Sequence, residues 1–152
     1  MEEPSYYICI AIKKFLDESG MKSYRLAEFS GCNKTAVNSW LYQRQTPSTS
    51  ALIRLADYMN YSLDYMLGRS RQKFFIRSGN AEKFGRRFFE LPLPDGVTYY
   101  KLAQTIGIGT SAMSKWKDLK RLPDIEILMR LADFFDCSVD YLVGRTNIPY
   151  LN

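Results

Sequence analysis

The sequence predicts an all-α protein made of two tandem domains of five short helices each. Three observations carry that expectation. The chain matches itself without a gap at an offset of 76, residues 24–70 against 100–146, with 17 identities in 47 positions. Chance would give roughly three at average residue usage. Apolar residues recur at helical spacing, and no stretch shows the strict alternation or the Asn-Gly turn of a β-hairpin. Such a period is too long for a solenoid unit, and with one preceding helix it is about the size of a minimal domain. The expected division is a domain over 1–69, a basic linker over 70–79 and a second domain over 80–152 with a short C-terminal tail.

Each element has its own signal. Ile8, Ile12 and Phe15 form one face of a first helix, and Phe84, Phe88 and Leu91 stand at the same positions of the second copy. Gly20 and Gly96 end the connection to helix two, which runs over about 24–30 and stops at Gly31, the residue type that accepts a left-handed helix end. Helix three, over about 34–42, turns Val37 and Trp40 inward at i, i+3, as Met113 and Trp116 do in copy two. Helix four starts after Pro47 at Ser48, or after Pro123 at Asp124, both good N-caps, and buries Leu52, Leu55, Ala56 and Met59. Helix five opens at Ser62 or Ser138 and closes at Gly68 or Gly144.

Composition removes whole classes of function. With no histidine, Ser-His-Asp and Cys-His catalysis, histidine zinc ligands and imidazole switches are excluded by count. Cys9, Cys32 and Cys137 are odd in number and far apart, so reduced thiols are expected and neither a disulfide framework nor a zinc ribbon is. The longest apolar run, residues 6–12, is far short of a membrane span, and the start Met-Glu-Glu-Pro lacks a basic n-region. A cytoplasmic protein without membrane contact is expected. No paired carboxylates, phosphate loop or activated nucleophile can be assembled, so neither an enzyme nor a cofactor is expected.

Leu26-Ala27 through Gly31 to Val37 and Trp40 has the spacing of two helices joined by a tight turn. With the ending Ser-Leu-Asp-Tyr-Met-Leu-Gly-Arg, repeated as Ser-Val-Asp-Tyr-Leu-Val-Gly-Arg, it resembles the Cro/repressor-type (XRE-like) helix-turn-helix family. The resemblance covers both copies, and each keeps the Trp-to-Pro spacing of the family. The chain departs from the family after helix three, where Leu41 and Gln43, then Lys117 and Leu119, replace a frequent Glu and Gly. The resemblance implies two lambda-repressor-like domains and a sequence-specific, double-stranded DNA-binding transcriptional regulator, a repressor of bacterial, phage or mobile-element origin.

On that basis Lys34, Thr35, Asn38 and Ser39 are expected to read bases in copy one, with Ala36 as the small neighbour that lets the helix sit deep. Thr110, Ser111, Ser114 and Lys115 are the matching positions in copy two. The expected phosphate contacts are Ser23, Asn33, Arg44 and Ser48 in copy one and Thr98, Tyr99, Lys120 and Arg121 in copy two. Charge placement ranks the copies: residues 29–56 contain no Asp or Glu, whereas Asp118, Asp124 and Glu126 stand in the corresponding part of copy two. Copy one is therefore expected to be the primary reader, and copy two a weaker reader or a surface for a protein partner. Arg71, Lys73, Arg77, Lys83, Arg86 and Arg87 against Glu82 give residues 71–87 a charge of +5, which is the whole excess of the chain. That joint is expected either to follow the DNA backbone or to dock onto one domain through Phe74, Phe75 and Ile76. One chain would then act as a covalent pseudo-dimer, or pair as a homodimer. The rival reading is a protein-binding adaptor or inhibitor that reuses the scaffold.

Overall fold

The computed structural model describes residues 3–74, 84–118 and 121–150. The chain divides into two compact units, with the break between residues 75 and 76.

The first unit is five helices: α1 Pro4–Ser19, α2 Ser23–Ser30, α3 Lys34–Leu41, α4 Thr49–Met59 and α5 Leu63–Met66. Pro4 opens α1, where its missing N–H costs nothing, and Gly20 closes it in the left-handed conformation. α1 packs on α3 and α5, and α2 packs on α3 and α4. Ile8, Ile12, Leu26, Val37, Leu52, Leu55, Leu63 and Met66 meet in the core, each at 1% exposure or less. Each such side chain contributes about 1.5–3 kcal/mol by leaving water. Phe15 is only half-buried and meets the rings of Tyr58 and Tyr61 edge-on. At Gly68, with φ of +77°, an added Cβ would lie 2.6 Å from the Tyr7 ring, so this position needs glycine on two counts.

The second unit repeats the plan with α6 Phe84–Glu90, α7 Tyr99–Ile106, α8 Thr110–Ser114, α9 Ile125–Phe135 and α10 Val139–Leu142. Phe84 and Phe88 stack on each other and both meet the Trp116 ring at nearly right angles. Leu91, expected on the inner face, is half-buried just past the end of α6. No strand occurs among the described residues, and none of their helices is long and apolar enough to cross a membrane.

Two features depart from the sequence expectation. Residues 70–74, assigned to the linker, are held to the first domain. The Ser62 N–H donates to the Lys73 carbonyl at 2.9 Å, the Ser62 hydroxyl donates to the Gln72 carbonyl, and Tyr61 pairs with Phe74 in an antiparallel bridge. The Ser138 N–H does the same with the Pro149 carbonyl at 2.7 Å. Both serines are buried, and without the returning strand-like segment their N–H groups would lose a partner out of reach of water. Residues 75–79 of the expected linker, including Phe75 and Ile76, lie outside the described residues.

The third helix of copy two is the other departure. Where α3 runs unbroken for eight residues, α8 ends after five and continues as a 3-10 turn over Lys115–Asp118. Asn33 caps α3 by accepting from the Thr35 and Ala36 N–H groups at 2.8 and 3.3 Å. Gly109 offers no side chain for that purpose. The Ser114 hydroxyl also bonds back to the Thr110 carbonyl at 3.2 Å, a competition that bends or weakens helices.

Candidate nucleic-acid interface

In the first domain, α2 and α3 are joined by a turn that Gly31 makes possible. Its φ is +74° and its N–H closes on the Ala27 and Glu28 carbonyls, so the chain leaves α2 and enters α3 within three residues. Val37 and Trp40 anchor the inner face of α3. That fixes the outer face, where Lys34, Thr35 and Asn38 are exposed while Ala36 and Ser39 lie at its half-buried margin. Ser39 thus stands aside from the three residues the structure brings together.

Tyr42, at i+4 from Asn38, is 70% exposed and continues the same stripe, with the Arg44 guanidinium 5.4 Å from its ring centroid. The sequence reading passed over this residue. Its signal was the helical spacing 35, 38, 42, passed over because helix three was expected to end at this residue. Tyr24 was missed as well: it is 48% exposed near the start of α2, with Arg25 and Lys34 at 5.6 and 5.8 Å from its ring. Its identity with Tyr100, itself 61% exposed, marked it in the repeat.

The expected phosphate residues sit at helix starts. Ser23 is the first residue of α2, whose Lys22 N-cap supplies no side-chain acceptor, so the N–H groups of that turn keep no side-chain cap. Asn33 caps α3, and Ser48 caps α4 by accepting from the Ala51 N–H. None of α2, α3 and α4 has an acid in its first turn. Their positive dipole ends therefore face solvent without a fixed carboxylate, an arrangement that favours external anions. Arg44 is exposed in the loop between α3 and α4.

The second domain is arranged differently. Thr110, Ser111, Ser114 and Lys115 are exposed, but Lys115 already belongs to the 3-10 turn and the Ser114 hydroxyl is engaged with Thr110. Thr98 caps α7 by accepting from the Lys101 N–H at 3.1 Å. Tyr99 lies half-buried against Phe88 and Phe89, and Tyr100 is the exposed aromatic at that helix start. Arg121 is exposed, and Lys120 lies outside the described residues. Asp124 caps α9 and accepts from the Ile127 N–H at 3.0 Å, with exposed Glu126 in the same turn. Two carboxylates occupy the dipole end that α4 leaves open.

Two cations of the basic joint are absorbed into the domains. Lys73 pairs with Glu18 at 2.8 Å and lies over the Phe74 ring. Arg87 is buried, stacked 4.0 Å from the Tyr141 ring centroid and donating to the Asn147 side chain. Arg86 pairs with Glu90 at the surface and Arg71 is exposed, while Arg77 and Lys83 lie outside the described residues. Sequence charge summed these residues as one patch because it could not see which of them face inward.

Comparison with known proteins meets this geometry. A helix-turn-helix family model matches residues 12–66, and the model of the Cro/C1-type HTH DNA-binding domain matches 95–146. The HTH-type transcriptional regulator ImmR of Bacillus subtilis (strain 168) is 29% identical over 68 residues, 45% of this chain and 54% of that protein. The uncharacterized HTH-type transcriptional regulator YobD of the same strain is 33% identical over 64 residues, 42% of this chain and 57% of that protein. The chain thus spans little more than half the length of these relatives. No solved structure matches it significantly.

Proposed function

Both halves of this chain are helix-turn-helix domains of the Cro/C1 type, and from that premise we propose that the protein is a sequence-specific, double-stranded DNA-binding transcriptional regulator. It acts in the cytoplasm as a repressor that occludes or positions at an operator, without chemistry of its own. The observation that carries this reading is the first domain's outer surface: a capped α3 presenting Lys34, Thr35 and Asn38, flanked by the acid-free helix starts of α2 and α4. Lysine can donate to guanine O6/N7, asparagine can pair with adenine N6/N7, and the threonine methyl can meet thymine. Phosphates at the helix starts and at Arg44 would set the register of α3 in the major groove.

The second domain is the weaker reader in this proposal, because its α9 start carries Asp124 and Glu126 and its α8 is shortened. The same features favour a second reading, in which that domain's face receives a protein partner. One chain presents two unlike recognition helices and can act as a pseudo-dimer on two dissimilar half-sites, whereas a homodimer would use copy one twice on a palindrome.

Binding-site selection from random duplex DNA by the purified chain tests the proposal. Enrichment of one motif, with a footprint of two unlike half-sites under a single chain, is the expected result. Failure to enrich any sequence at low salt overturns the DNA reading, and a palindrome occupied by two chains through copy one alone overturns the pseudo-dimer.

A further inference from the structure

We propose that the second domain holds a binding site for a small amphiphilic carboxylate, in the cleft between α6 and the 3-10 turn that follows α8. The cleft measures about 410 Å3 and is lined by Gly85, Arg86, Phe89 and Lys117. Small-ligand sites run to roughly 300–1,000 Å3. The two copies differ along this seam. At the offset of 76, the same four positions in the first domain are Cys9, Ile10, Lys13 and Leu41. There Cys9 is 1% exposed and its thiol donates to the Leu41 carbonyl at 3.0 Å, so a side chain fills the seam between α1 and α3. Gly85 has no side chain to put in that place. Arg86 and Lys117 stand where the first domain has Ile10 and Leu41, and Phe89 stands where it has Lys13, so the second domain's seam gains an aromatic wall and a second cation.

The lining selects a class of ligand. Phe89 is half-buried and held by edge contacts to Phe88 at 4.8 Å and tilted contact with Tyr99 at 5.5 Å, which makes it a fixed apolar wall. The Lys117 ammonium lies 5.2 Å from the Phe89 ring centroid, and Arg86 faces Glu90 at 3.4 Å in a solvent-exposed pair that is worth little and is readily exchanged. A flat apolar body can take the place of the Lys117 ammonium on the Phe89 ring, while its carboxylate draws that ammonium aside and competes with Glu90 for Arg86. A neutral body would gain the wall alone, and an inorganic anion would gain two exposed cations alone. Lys117 belongs to the turn Lys115–Asp118 that continues α8, so an occupied cleft would brace the second half of this helix. The binding claim does not depend on the DNA reading.

The probe is 2-naphthoate, with neutral 2-naphthamide as its control, titrated into the full 15N-labelled chain and followed by amide shifts. Saturable shifts at Gly85, Phe89 and Lys117, with naphthoate binding at least about tenfold tighter than the amide, are expected. Gly85→Cys and Lys117→Leu, which install the first domain's residues, should each weaken naphthoate at least about tenfold. Equal affinity for the amide, shifts centred on the first domain, or unchanged binding in Lys117→Leu overturns the proposal. Lys117 is exposed, so that variant decides the matter even if Gly85→Cys perturbs folding.

Discussion

Arg69 places its Nε 3.0 Å from a carboxylate oxygen of Asp64, and its backbone N–H donates to the Asp64 carbonyl at 2.7 Å. Arg145 and Asp140 form the same double clasp in the second domain. Both aspartates are nearly fully buried, at 2% and 3% exposure. The repeated Asp-Tyr-x-x-Gly-Arg therefore folds each domain's last turn back on itself and is a structural signature; the DNA-reading residues proposed above lie elsewhere. Removing either aspartate breaks a largely buried ion pair, so Asp64→Ala and Asp140→Ala should each destabilise their own domain by about 3 kcal/mol or more. Denaturant unfolding followed by domain-resolved amide signals checks this. A loss below about 1 kcal/mol would place the pair among weak surface bridges.

Base reading by α3 makes a separate demand. Asn38→Ala and Lys34→Ala should each weaken the selected site by about 1–3 kcal/mol and relax preference at one base pair. Arg44→Ala, at a proposed phosphate contact, should weaken all duplexes alike. The comparison uses competition binding across single-base variants of the site. If Thr110 and Ser111 variants abolish specificity while Asn38→Ala leaves it untouched, the second domain is the reader.

The repeat made the helix order and the turn residues readable before any coordinates, because glycine at 31 and 107 and proline at 47 and 123 mark backbone conformations that few other residues accept. The core was readable for the same reason: Val37, Trp40, Leu52 and Leu55 stand at helical spacing and are buried. What stayed hidden depended on side-chain direction. Arg87 and Lys73 counted as surface charge although one stacks under Tyr141 and the other pairs with Glu18. Tyr42 counted as a helix end although it is exposed one turn after Asn38 on the same side of the helix. The early end of α8 accompanies an uncapped start at Gly109 and the Ser114 back-bond to Thr110, local hydrogen bonding that apolar periodicity does not register.

Alkaline pH should destabilise the first domain through Tyr61. Burial, then the nearby Glu18 charge, pushes its hydroxyl up from 10.0 to about 12. The folded state therefore holds this proton after the unfolded chain has lost it, so stability falls as pH rises from about 10 towards 12. Tyr61→Phe should flatten that alkaline limb. Phenolate absorbance should show a transition at about pH 12 that Tyr61→Phe removes. An unchanged alkaline limb in Tyr61→Phe would assign the loss to other groups.

The difference between the two domains can be tested by exchanging residues between them. Asp124 and Glu126 stand where the first domain has Ser48 and Ser50, and they neutralise the start of α9 with fixed carboxylates. Asp124→Ser keeps an N-cap acceptor, as Ser48 shows by accepting from the Ala51 N–H, so the helix start should survive the change. Removing each negative charge beside a helix dipole should then raise duplex affinity by about 0.3–1 kcal/mol, roughly two- to fivefold. The gain should be largest at low salt, because charge interactions with the duplex are screened, and counterion release is expected to weaken binding by roughly a thousandfold or more between about 50 and 200 mM salt. The reciprocal change, Ser48→Asp with Ser50→Glu, should weaken binding by more, since it acts on the domain proposed as the primary reader. If the second-domain exchange leaves duplex affinity unchanged at every salt concentration while the reciprocal pair lowers it, the α9 start does not face DNA and that face is open to a protein partner.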